Sequence, residues 1–193
     1  VEAAERGHKV TLFDKAQMIG GQLNLAKMVP GKEEFWGLVD WFSEMLKSSG
    51  AEVKLGEIVT SSDVIDFDEV IIATGVSPRD PKIKGHEKNN VVSYVEVLNG
   101  TGQIGQKVAV IGAGGIGFDV SEYLVHENKS DNKQIEIPKW MNEWGVGDPN
   151  KTPGGLAESG PKPEAAVRQV TLMQRKKQKL GRNLGKTTGW IHR

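Results

Sequence analysis

The chain has 193 residues, enough for one large domain or two small ones, and its 37% hydrophobic and 26% charged residues describe an ordinary folded protein with room for a core. Cysteine is absent, which excludes a disulfide framework, thiolate zinc sites, a dithiol redox pair and a cysteine-ligated iron–sulfur cluster from these residues, so redox chemistry here needs a borrowed cofactor. Net charge is zero, yet residues 165–193 hold eight Lys/Arg and no acid, leaving 25 acids against 17 bases in the remainder.

No run of 18 apolar residues and no charged-then-apolar leader occurs, so the expectation is a cytoplasmic protein that meets no membrane. Glycine is in excess, 24 of 193 residues or about 12% against a usual share of roughly 7%, and no collagen period or Gly/Ser tract explains it. Tight backbone turns do. The start at Val1, without methionine, and the helix-ending pattern of Val1 to Gly7 mark the expected tail of a longer helix and a piece of a longer protein.

Val10 to Phe13 is a short β-rich run closed by Asp14. Apolar Phe35, Leu38, Val39, Phe42, Met45 and Leu46 recur at helical spacing between Glu33 and Ser49, with Gly50 as the stop. Glu52–Leu55 and Glu57–Thr60 are brief strand candidates. Asp68 to Ala73 holds the continuous apolar run Val70-Ile71-Ile72-Ala73, of the kind found in strands buried on both faces, and it leads into Thr74-Gly75. After a Pro/Gly-rich stretch, Val91–Ser93 reads as a strand and Tyr94–Leu98 as a short helix.

Lys107 to Ile111 is a strand that enters Gly112-Ala113-Gly114-Gly115-Ile116-Gly117, and Phe118 to His126 continues as a helix. Residues 128–168 carry five of the eight prolines and five glycines, and they read as a long insertion with one helical turn marked by Trp140 and Trp144. Val170 to Gln174 is the next strand, ending in Arg175-Lys176-Lys177-Gln178-Lys179. Two units are expected, over residues 1–105 and 106–193, and the alternation of strands and helices gives an α/β fold class with parallel sheets.

Residues 112–117 fit Gly-x-Gly-x-x-Gly between a strand and a helix. The first glycine permits the turn, the second lets backbone approach a pyrophosphate, the third allows close helix–strand packing, and the helix N-terminus supplies donors. The end of the following strand discriminates between coenzymes, because an acid there binds a ribose hydroxyl and repels a 2′-phosphate. Here that end is basic, with Arg175, Lys176 and Lys179 as candidates for NADPH. Asp14 is the contrasting acid at an earlier strand end, the partner of an adenosine ribose in FAD or NAD, with Lys15 beside it and Gly20-Gly21-Gln22-Leu23 a few residues on. Two units of opposite strand-end charge suggest a relay from NADPH to a flavin.

Ile19-Gly20-Gly21-Gln22-Leu23, Ile72-Ala73-Thr74-Gly75-Val76 and the second glycine motif, in this order, resemble the two-dinucleotide flavoprotein reductases. Val29 to Phe35, Gly112 to Asp119 and Leu184 to Arg193 resemble more specifically the C-terminal half of the bacterial NADPH-dependent 2,4-dienoyl-CoA reductases, within the old yellow enzyme-like NADH:flavin oxidoreductase and trimethylamine dehydrogenase group. The resemblance implies a three-domain enzyme of unsaturated fatty acid β-oxidation, in which a TIM barrel carrying FMN and a 4Fe–4S cluster precedes FAD and NADPH modules. It makes 1–105 a partial FAD-binding domain with linker strands and 106–193 an NADPH-binding domain, with the Rossmann-type parallel sheets of a two-dinucleotide-binding flavoprotein truncated at the N-terminal βα unit, and it places FAD at Asp14, Gly21, Gln22, Thr74 and Gly75, and NADPH at Gly112 to Gly117, Arg175 and Lys179. Its barrel, with the residues that transfer protons to the thioester, lies outside this sequence. No catalytic acid or base is expected among these residues, because hydride chemistry belongs to the cofactors.

Four histidines without common spacing give no metal site. Two rival readings are an isolated NADP(H)-binding module without turnover, and a nucleic-acid binder using the basic end and Trp190. The second lacks the interleaved aromatic and basic residues of single-strand platforms, so no nucleic acid is expected. A parallel sheet open at its N-terminal edge leads to the further expectation of a homo-oligomer formed by strand or segment exchange.

Overall fold

A computed structural model describes residues 1–127 and 136–185. The Lys186 to Arg193 part of the resemblance, including Trp190, lies outside the described residues, as does the start of the insertion. The chain divides into two compact units, Val1–Ser93 and Tyr94–Arg193.

In the first unit α1 (Glu2–Glu5) ends at Gly7 and leads into β1 (Thr11–Asp14). Two helices follow, the single turn α2 (Leu23–Ala26) and the long α3 (Glu34–Ser48), and then β2 (Glu52–Leu55). The two strands are parallel, with Thr11 opposite Glu52 and Asp14 opposite Leu55. This connection through α3 is the βα crossover that parallel pairing requires. The apolar stripe of α3 turns Leu46 inward, while Val29 is buried on the approach to it. Trp36 donates its indole N–H to the Lys27 carbonyl at 3.1 Å, and the Lys27 ammonium lies 3.9 Å from the Trp36 ring centroid, so the α2–α3 joint is held by a hydrogen bond and a cation–π contact. A small cavity of about 240 Å³, lined by Leu12, Leu23, Val39, Phe42 and Leu46 among others, lies between the sheet and the helices.

Three expected strands of this unit do not form. Glu57–Thr60 is irregular and ends in a capping box, in which Thr60 Oγ1 donates to Asp63 Oδ2 at 2.6 Å and the Thr60 amide to the same oxygen at 2.7 Å, opening a 3₁₀ turn at Ser61–Val64. Val91–Ser93 is likewise irregular. The run from Asp68 to Ala73 is irregular and exposed, with Ile71 at 88% and Ile72 at 82%. A strand buried on both faces needs a ladder neighbour and a layer on each side, and among the described residues the sheet of this unit has only β1 and β2.

In the second unit α4 (Tyr94–Leu98) packs on the helix that follows the glycine motif. β3 (Lys107–Ile111) enters that motif, and α5 (Gly115–Val125) leaves it. The insertion contributes α6 (Ile137–Trp144), closed by Gly145 in the left-handed conformation, and an antiparallel bridge between Val146 and Leu156. β4 (Gln169–Met173) then pairs in parallel with β3 over their whole length, Lys107 opposite Gln169 and Ile111 opposite Met173. α5 covers this sheet, and Val97, Leu98, Val120, Tyr123 and Leu124 form the buried core. The approach to β4 is fixed to the end of α5: the Val167 amide donates to the Val125 carbonyl at 2.9 Å, and Arg168 Nη1 to the Leu124 carbonyl at 3.3 Å. The α/β class with parallel strands is as the sequence predicts. Among the described residues no helix is long and apolar enough to cross a membrane.

Candidate nucleotide-binding sites

Parallel pairing brings the carboxyl ends of β3 and β4 together, which is where open α/β sheets bind ligands. The Gly112 amide donates to the Met173 carbonyl at 2.9 Å, so the glycine turn begins at the level where β4 ends. Gly112 has φ +120°, a conformation that a side chain would strain. Gly117 is required by space: a Cβ there would stand 1.7 Å from the Gly112 carbonyl oxygen, and 3.5 Å from Leu172 Cδ1 on the neighbouring strand. Helix and turn therefore approach as closely as backbone permits.

Gly114 and Gly115 differ from these two. Nothing lies within 4 Å of a Cβ built on either, and Gly114 is the extended residue that opens α5. Their surroundings are open where the unpaired amides of a helix N-terminus begin, which is the geometry that admits a pyrophosphate. Ala113 and Ile116 complete the turn, with Ile116 half exposed. Beyond Met173, Arg175, Lys176, Lys177 and Lys179 are all exposed, and among the described residues none has an ion-pair partner. A dinucleotide with an additional phosphate fits this donor set, which combines open backbone at a helix start with cations at the adjoining strand end.

The first unit holds the other expected residues, in two places. Asp14 ends β1 and accepts the Ala16 amide on Oδ1 at 2.9 Å, an Asx turn that orients the carboxylate. Lys15 is exposed beside it. Gly20 and Gly21 have φ +108° and +47°, and a Cβ on Gly20 would stand 2.8 Å from Asn24 Nδ2, which itself donates to the Ile19 carbonyl. Gln22 Nε2 donates to the Val76 carbonyl at 3.4 Å, and thereby joins the Gly20 to Leu23 loop to the Ala73-Thr74-Gly75 segment across more than fifty residues. A carboxylate at a strand end fits the ribose hydroxyls of an adenine dinucleotide such as FAD. The Val76 carbonyl was not legible as the partner of Gln22, since backbone acceptors leave no sequence signal. Gln174 reads in sequence only as a strand end, although its side-chain amide donates to the Gln178 carbonyl.

Among the described residues no group of three His, Asp or Glu side chains is arranged to hold a metal ion. His126 lies 3.5 Å from Glu122 through Nδ1 and 3.8 Å from Glu143 through Nε2, bridging α5 to α6 through opposite ring edges.

The fold and these groups define an α/β oxidoreductase region built to bind nucleotide cofactors. The family model for pyridine nucleotide-disulphide oxidoreductases matches residues 1–189, and the chain belongs to that family. Curated relatives include the cinnamate reductase of Clostridium sporogenes, 36% identical over 143 residues, which are 73% of this chain and 21% of that protein. The NADH oxidase of Thermoanaerobacter brockii is 37% identical over 66% of this chain and 20% of that protein, and the metal reductase of Desulforamulus reducens 30% over 70% and 21%. The chain thus spans about a fifth of the length of these relatives. Among solved structures, 2-naphthoyl-CoA reductase with 2-naphthoyl-CoA superposes with TM-score 0.61 and 22% identity over 96% of this chain and 32% of that one, a likeness of fold. The family implies FAD and NAD(P)H as cofactors. The disulphide in its name has no counterpart here, because the chain has no cysteine.

Proposed function

We propose that this chain is the FAD- and NADPH-handling region of a bacterial reductase of the 2,4-dienoyl-CoA reductase type. When bound, NADPH supplies a hydride and FAD accepts it. The chain's own residues bind and orient. Gly112 to Gly117 seat the pyrophosphate at the start of α5, Arg175 with Lys176 and Lys179 neutralises the 2′-phosphate, and Asp14 accepts the ribose hydroxyls of FAD. Lys15, Gly20, Gly21, Gln22, Leu23, Ala73, Thr74 and Gly75 border the flavin nucleotide. The observation that carries this reading is the pairing of the Gly117–Gly112 close approach with exposed cations at the end of the adjoining strand.

A barrel domain elsewhere in the protein would hold FMN and a 4Fe–4S cluster and would supply the reduction of a conjugated acyl-CoA, in the cytoplasm. The relatives include a cinnamate reductase, an NADH oxidase and a metal reductase, and this reading assigns the choice of substrate to that barrel. The boundary between the FAD and NADPH parts lies near residues 94–105.

A second reading, a module that holds NADP(H) without turnover, draws on the exposed irregular run at 70–72, which leaves the first unit with a two-stranded sheet. Exchange of strands or segments between copies would cover that run. Calorimetric titration with NADPH and NADH, preceded by a flavin spectrum, separates the readings. A preference for NADPH of tenfold or more, about 1.4 kcal/mol, that disappears in Arg175→Ala supports the NADPH assignment, and a flavin band supports the relay. Equal or absent binding of the two nucleotides overturns the NADPH assignment. Light scattering that finds only a monomer overturns exchange.

A further inference from the structure

Resting on the NADPH reading, we propose that Gln174 is a positioning residue for coenzyme choice, whose side-chain amide closes the bend from which Arg175 and its neighbouring lysines present their charges at the carboxyl end of β4. The bend is anchored at its start, because Met173, the last residue of β4, gives its carbonyl to the Gly112 amide. Its far end, at Gly181, lies close beside the Phe118 ring, since φ there is +74° and a Cβ would stand 3.2 Å from Phe118 Cζ and 3.1 Å from Leu184 Cδ1. Phe118 directly follows Gly117, so both ends of the loop return to the glycine motif.

Between these ends, no backbone hydrogen bond closes residues 174–178 among the described residues. The closure is made by one side chain: Gln174 Nε2 donates to the Gln178 carbonyl. Arg175, Lys176, Lys177 and Lys179 lie on or beside this bend, all exposed, with no acid anywhere from Ala165 to Gly185. Like charges held close repel, and without a closing bond such a loop opens toward separated cations. An anion of two negative charges is the group that a pre-closed cationic bend favours, since its binding then requires little further ordering. The pyrophosphate, by contrast, is received by backbone at the start of α5 and does not depend on the bend.

The test uses 2′,5′-ADP and 5′-AMP as probes that differ by the 2′-phosphate, with the whole chain, Arg175→Ala, and Gln174→Met, which keeps the length of the side chain and removes its donor. Titration is expected to give the unaltered chain a preference of tenfold or more for 2′,5′-ADP. Gln174→Met should reduce the preference to threefold or less, with 5′-AMP affinity and thermal midpoint unchanged. A full preference retained in Gln174→Met overturns the role of Gln174 and leaves the NADPH reading intact. Loss of 5′-AMP and 2′,5′-ADP binding in equal measure also overturns it, because a merely structural residue would behave so. No preference in the unaltered chain, with Arg175→Ala indistinguishable from it, overturns the NADPH reading itself.

Discussion

Replacing Gly117 with alanine separates the packing role of the glycine motif from its binding role. The added Cβ would begin 1.7 Å from the Gly112 carbonyl oxygen, a contact that must open by more than an ångström before it is tolerable. The obstacle is backbone on a turn whose amide is already bonded to Met173, so the adjustment falls on α5. Moving α5 loosens Val120, Tyr123 and Leu124, the larger part of the buried core of its unit. Overpacking of this kind costs about 2–3 kcal/mol, or a fall of roughly 10–20 °C in the midpoint of a unit this size. The comparison variant is Gly114→Ala, where nothing lies within 4 Å of the new methyl and φ is −91°. It should unfold within about 0.5 kcal/mol of the parent yet bind NADPH at least tenfold more weakly, because the methyl occupies the space left for phosphate. Urea denaturation followed by circular dichroism, together with nucleotide titration, reads both quantities. A Gly117→Ala protein as stable as the parent, or a Gly114→Ala protein as unstable as Gly117→Ala, would refute the reasoning.

Leu124 is the most deeply buried side chain described, 1% exposed, so Leu124→Ala should destabilise its unit by about 2–5 kcal/mol, measured by the same urea titration. Burial raises the Tyr123 hydroxyl above its ordinary pKa of 10, with the Arg168 charge opposing the shift. A group raised in the folded state contributes stability that is complete below the unfolded pKa and is lost as pH rises through the folded one. Stability should therefore decline above about pH 10, and Tyr123→Phe should remove that part of the decline in denaturation curves collected across the alkaline range. Asp63 shifts the other way, held below the usual carboxylate value by the Thr60 hydroxyl and amide. The cap it forms should persist through mild acid and loosen only as pH falls below the ordinary aspartate range; a carboxyl titration by NMR that shows no lowering in the parent, or the same curve in Thr60→Ala, would count against it.

Sequence pattern carried the second unit further than the first. Lys107–Ile111, the glycine motif and the strand before Arg175 were legible because each signal is local: an apolar run, a spacing of glycines, a change to basic residues. Their adjacency in space also followed, since a Rossmann turn places its strand ends side by side. The long helix between Glu33 and Ser49 was legible from its period within a residue at either end. The run at Asp68 to Ala73 differs from its expected strand because its composition reports a preference for burial, while a strand also needs partners that local composition does not contain. Glu57–Thr60 went the same way for a different reason, as the Thr60 and Asp63 side chains offer the backbone a turn in place of a ladder. The one-turn helix at Leu23–Ala26 is too short for a period to reveal it.

β3 and β4 are neighbours in the sheet, yet residues 112–168 run between them. Because the entropy of closing a loop grows only with the logarithm of its length, this excursion costs about 1 kcal/mol more than a connection of roughly twenty residues would. Its effect on rate is larger. The ladder that positions Gly112 against Met173 cannot zip from a local turn, and distant pairings of this kind slow the search for the native state. Shortening the excursion between Gly145 and Gly160 should thus leave the equilibrium stability of the sheet nearly unchanged while accelerating its refolding, making the length of this segment chiefly a matter of folding time.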